Sequence, residues 1–183
     1  MKKSILLVAL IAGGFAMTSS AQQYFTKNGN VSFFSKTNME DIKADNNQVM
    51  SVLDSKTGGL QFSLLNKGFH FDKALMEEHF NENYMESNKF PKSTFKGTIA
   101  DISKIDLTKD GVHAVTVTGD MTMHGVTKSM TTTGTITVKG GKVNATAKFI
   151  VKLADYNIAI PSLVKKTVPE SMPITVNCDY SSK

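Results

Sequence analysis

The sequence predicts an all-β chain with one short helical insertion, and three observations support this. Apolar and polar residues alternate over long stretches, turn dipeptides containing glycine separate those stretches, and helical spacing occurs in a single place. Long antiparallel strands joined by tight turns leave bare edges unless the sheet closes. An antiparallel β-barrel is therefore favoured, with a two-sheet sandwich as the alternative.

The first residues form an address rather than a fold. Lys2 and Lys3 precede an apolar run over residues 5–17, and Thr18-Ser19-Ser20-Ala21 follows. This pattern is a charged start, an apolar stretch short for a membrane span, and a small-x-small site. It marks a secretory signal peptide cleaved after Ala21, with an uncleaved anchor as the alternative. Residues 1–21 are thus the expected signal and 22–183 the expected single barrel domain, periplasmic or secreted. No Cys follows the apolar run, so a lipoprotein attachment point is missing.

The 183 residues carry 21 basic and 16 acidic side chains, a formal +5, and every basic residue is Lys. Two Lys leave with the signal, which brings the charge to +3. The remaining Lys are scattered, and no Arg is present to supply the planar fork that reads phosphates and base edges. That composition points to a solvated surface and away from nucleic acid. A hydrophobic fraction of 40 % excludes a disordered tail, and a lone Cys178 excludes an intramolecular disulfide.

Turn signals stand at Asn28-Gly29, Thr57-Gly58-Gly59, Asp110-Gly111 and Gly140-Gly141. Between them Val31 and Phe33 alternate weakly, and Leu60, Phe62 and Leu64 alternate clearly. Val115, Val117, Gly119, Met121 and Met123 share one parity, as do Val143, Ala145, Ala147, Phe149, Val151 and Leu153. Ile174, Val176, Cys178 and Tyr180 close the series and place the thiol on the buried face. Such strands have one wet and one buried face. Helical spacing occurs over residues 72–85, with Asp72 as the expected N-cap and Leu75, Met76, His79, Phe80 and Tyr84 on one flank. Glu78, Glu82 and Glu86 form a charged stripe beside it, and Pro91 ends any helix. A helix of this kind covers one mouth of the barrel.

Chemistry-bearing constellations are sparse. The four His (His70, His79, His113 and His124) show no HExxH spacing, and no CxxC, GxSxG or Walker loop occurs. A zinc site would require three of them to converge through the fold. A hydrolase or metal enzyme built on His79 and His124 is one alternative function, and a filled barrel serving as a protein-interaction module is another. His79 and Tyr84 can either cap a core or contact a ligand head group, and Tyr156 shares that ambiguity. The interior parity is apolar and rich in Met, with small residues at Gly119, Ala145 and Ala147. It suits a solid core or a ligand tunnel equally well.

Two segments carry a family resemblance. Residues 75–87 lead into Lys89-Phe90-Pro91 and Ser93-Thr94-Phe95-Lys96-Gly97, and Gly119-Asp120-Met121-Thr122-Met123-His124-Gly125-Val126-Thr127-Lys128 follows. Both resemble the YceI-like polyisoprenoid-binding family of exported bacterial proteins, and the likeness runs from Gly29 to the C-terminal strand. The resemblance implies a lipocalin-like extended antiparallel β-barrel with an apolar tunnel. It implies a non-catalytic protein that binds a long isoprenoid or similar neutral lipid, for carriage or sequestration in the periplasm. Two departures matter. Gly29-Asn30-Val31-Ser32-Phe33 stands where many members have an Asp-x-x-His-Ser opening, and Glu77-Glu78 replaces an Arg-Asp before the helical His. Little is left to hold a pyrophosphate, while quinones, fatty amides and similar neutral lipids stay open.

The expected tunnel lining is Phe33, Phe62, Leu64, Val117, Met121, Met123, Ala147, Phe149 and Val151, with Leu75, Met76 and Phe80 in the helical cover. His79 and Tyr84 are the expected head-group contacts. No catalytic residue, metal or cofactor is expected beyond the bound isoprenoid or quinone-type lipid. No nucleic acid and no stable membrane anchor are expected either, and a homodimer is left open.

Overall fold

The computed structural model describes residues 23–37, 40–165 and 167–182. The expected signal peptide and its cleavage point lie outside the described residues. Among the described residues nine strands form the sheet: β1 (Gln23–Ser35), β2 (Ile42–Asp54), β3 (Gly59–Leu65), β4 (His70–Phe71), β5 (Lys92–Ile99), β6 (Gly111–Met123), β7 (Val126–Lys139), β8 (Lys142–Lys152) and β9 (Ser171–Ser182). The order is β1-β9-β8-β7-β6-β5-β3-β2, and β1 pairs back onto β2. Eight antiparallel strands therefore close into a barrel with no free edge, and the sandwich alternative falls. The two-residue β4 pairs antiparallel beside β2, with Phe71 opposite Ala44.

The connections sort to two ends. One end carries the β2–β3 and β7–β8 turns and the β5–β6 connection; the other carries the helical segment, the β6–β7 hairpin and the β8–β9 connection. At the first end Ile102 and Leu107, from the β5–β6 connection, are buried against Leu53, Val138, Val143 and Cys178, forming a solid plug. Cys178 has no exposed surface, and burial pushes its thiol up to about 12. Tyr180 bonds Ser51 at 2.6 Å, and Ser51 Oγ donates onward to the carbonyl of Gln61 at 2.9 Å. The phenol is thus the donor to Ser51 and is satisfied inside the plug.

Two of the expected turns are corrected. Asn28-Gly29 is not a hairpin turn; it lies within β1 where the pairing to β2 shifts register. Gly29 is needed there for space, since a Cβ would strike Cys178 Sγ. Asp110-Gly111 ends a longer connection, and Asp110 Oδ1 instead accepts from the N–H of Gly140 at 2.8 Å. Gly140-Gly141 is a true turn, with φ of 57° and 75°. The unheralded His124-Gly125 turn between β6 and β7 has φ of 50° and 74°.

The helix is shorter than its spacing suggests and starts later. Helix α1 spans Ala74–His79, its N-cap is Lys73 rather than Asp72, and no side chain caps it. The chain then widens into a π-type turn over Phe80–Tyr84, where the N–H of Met85 donates to the carbonyl of Phe80 at 2.8 Å.

Candidate functional site

Between the plug and α1 the barrel is hollow. The cavity holds about 610 Å³, and its walls are almost wholly apolar. Much of the lining from β6, β7 and β8 is small or flexible: Val117, Met121 and Met123; Met130, Thr132 and Gly134; Ala145 and Ala147, with Phe149 and Val151 farther along β8. Gly97 and Gly119 pair across β5 and β6. A Cβ on either would come within 2.6 or 2.7 Å of the Phe95 ring tip, so that ring lies along the wall over the glycines and leaves the lumen free.

The opposite wall is aromatic. Phe33, Phe69, Phe71 and Phe80 pack with ring centroids 5.1–5.8 Å apart. Phe80 thereby seats the π-type turn on the barrel. Leu75 is 61 % exposed although it lines the cavity, which places it on the rim. His79 is also exposed, whereas burial pushes the Tyr84 phenol above its ordinary range and keeps it a donor. Lys73 borders the cavity, and its ammonium is ion-paired with Glu40, which ties α1 to the β1–β2 connection.

His124 draws the mouth together. Its Nδ1 lies 3.0 Å from the carbonyl oxygen of Tyr156, and its Nε2 lies 2.8 Å from Glu86 Oε2. Both ring nitrogens are therefore engaged by oxygens of other segments. One imidazole thus joins the β6–β7 hairpin, the helical segment and the β8–β9 connection. Glu86 consequently leaves the solvated stripe expected of it, while Glu78 and Glu82 remain exposed. Buried amides hold the rest of the mouth. Asn46 donates to the carbonyl of Leu65 at 2.9 Å, and Asn66 donates to that of Phe90 at 2.7 Å.

All twelve residues expected to line a tunnel border this one cavity, as do His79 and Tyr84. The filled-barrel alternative does not fit a hollow of this size. His79 and His124 sit in different settings, one on the rim and the other held at both nitrogens. His70 lies 3.5 Å from Glu77. No cluster of three His, Cys, Asp or Glu capable of holding a metal exists among the described residues. Sequence reasoning missed the contributions of Met130, Thr132 and Gly134 on β7 and of Val164 and Val168 in the β8–β9 connection. The first three alternate with period two and were legible through the Thr-rich run; the last two lie on an irregular connection with no such signal.

A closed antiparallel barrel around an apolar cavity defines the class: a lipocalin-like β-barrel. The chain belongs to the YceI-like domain family, which matches residues 12–180. It is similar in fold to a polyisoprenoid binding domain from Saccharophagus degradans implicated in plant cell wall breakdown. That match has TM-score 0.75 and 12 % identity over 88 % of this chain and 98 % of that one. BcnA of Burkholderia cenocepacia superposes with TM-score 0.69 at 16 % identity, covering 84 % and 96 %. The Campylobacter jejuni YCEI protein superposes with TM-score 0.61 at 14 % identity, covering 81 % and 89 %. A search of curated proteins found no match. Among the described residues no helix is long and apolar enough to cross a membrane.

Proposed function

We propose that this chain binds a long apolar lipid, an isoprenoid or a similar chain with an uncharged head group, and carries or sequesters it in the periplasm. The observation that carries this reading is the hollow of about 610 Å³ with nearly all-apolar walls inside a closed barrel. A void of that kind is costly unless something fills it, and each methylene buried in it contributes about 0.8 kcal/mol. The printed name of the S. degradans neighbour, a polyisoprenoid binding domain, supports the same ligand class. An uncharged head group follows from the mouth. The Lys73 ammonium there is taken by Glu40, and the chain has no Arg to grip a pyrophosphate. His79 and Tyr84 remain as hydrogen-bonding groups for a carbonyl or hydroxyl. The reading describes a binding protein that performs no reaction.

Native mass spectrometry of the protein purified from the periplasm, followed by organic extraction, tests it. The expected result is a stoichiometric apolar lipid without phosphate. An empty protein that also fails to take up added prenyl lipids would sink the proposal.

A further inference from the structure

Resting on that lipid reading, we infer that the cavity is a blind pocket that measures its ligand. It accepts an apolar chain of about 24 carbons, on the order of five isoprene units, whose tail stops against Leu60, Val115 and Tyr180.

The floor follows from which buried residues meet the hollow. Leu60, Val115 and Tyr180 line the cavity and also belong to the plug. Behind them Ile102, Leu107, Val138, Val143 and Cys178 are buried at 5 % exposure or less and line no part of it. The β5–β6 connection supplies two of those residues, so the chain itself shuts this end of the barrel. A threaded lipid has no exit there. Entry is left to the α1 end, where Leu75, Met76 and His79 form the rim.

The length follows from volume. An apolar cavity of about 150 Å³ holds one benzene ring, six carbons. On that scale about 610 Å³ holds roughly 24 carbons. A longer isoprenoid would leave its remaining units outside the mouth, in water, where they add no burial.

Competitive displacement of an apolar fluorescent probe by prenyl alcohols of about two to eight isoprene units, and by straight-chain alcohols in single-carbon steps across the break, reads this directly. Affinity is expected to climb by up to about fourfold per added carbon and then level off near five units, once the tail reaches the floor. Leu60→Ala cuts the floor back by about three carbons and is expected to move the break to longer chains; Ala145→Leu adds about three and moves it to shorter ones. If Ala145→Leu fails to fold by circular dichroism, Thr132→Leu fills the same lumen from β7. An affinity that keeps rising through eight units, or a break that stays in place in the folded variants, would overturn the inference while leaving lipid binding intact. Failure of the wild-type protein to bind any chain would remove the lipid reading itself.

Discussion

The two ends of the barrel are built on the same alternating pattern and come out opposite, one packed solid and the other hollow. At the plugged end the inward positions are Ile136, Val138, Val143, Cys178 and Tyr180, and Ile102 and Leu107 close over them. Along the hollow stretch of the same strands they include Met121, Met123, Thr132, Gly134 and Ala147, with Phe149 and Val151 farther along β8. Hydrophobic period decides which face turns inward, and side-chain size at each level decides whether that face meets its opposite. The connections add to the contrast. The β5–β6 segment packs into its end of the barrel, whereas the α1 segment is pinned across its own end by Phe80, His124 and the Lys73–Glu40 pair.

The sharpest way to break this contrast is to place one bulky residue at each level. Val143→Trp, in the plug, is expected to abolish folding, because no space exists at a position 1 % exposed. Ala147→Trp, in the hollow, is expected to leave a folded barrel that no longer takes up lipid. Circular dichroism with the probe-displacement assay separates the two, and normal uptake by folded Ala147→Trp would remove that residue from the lining. Truncation comes next. Ile136→Ala is expected to cost about 2–5 kcal/mol in urea unfolding, and Met121→Ala, which already faces open space, less than about 2 kcal/mol. Equal costs would mean that the hollow is filled in solution.

His124→Ala tests the mouth clasp. Loss of both bonds is expected to cost about 1–3 kcal/mol and to speed probe release, while the plug keeps its amide-exchange protection. Unchanged release would show that the clasp does not hold the mouth. The smallest effect belongs to Asp106, an exposed side chain of the plugging connection. The Thr108 hydroxyl, then its N–H, and Lys109 hold its carboxyl down at about 2. A folded-state value below the unfolded one contributes stability above about pH 4, and that contribution fades as pH falls toward 2. The stability gap between wild type and Asp106→Asn is therefore expected at neutral pH and should shrink on acid titration. A gap independent of pH would point to packing instead.

Strand identity was legible wherever alternation was clean, as in β6 and β8, and so was the buried placement of Cys178. The lining residues shared one parity, which is why residues as far apart in sequence as Phe33 and Val151 border the same cavity. β2 escaped notice because its buried residues switch parity between Asn46 and Val49 at the register shift, and two of them, Asn46 and Ser51, are polar. The role of Glu86 was also hidden. Its spacing to Glu82 matched a solvated helix face, and the helix ends before it, so its partner comes from 38 residues away.

By itself the sequence determined the all-β class, the inward faces and the family, because period and short motifs are local properties of the chain. Only the tertiary structure decided whether the interior was solid or hollow, which end was shut and which histidine was committed to holding the mouth. Those outcomes depend on which side chains meet across the lumen. Closure of the barrel sets that meeting, bringing together residues that no local spacing relates.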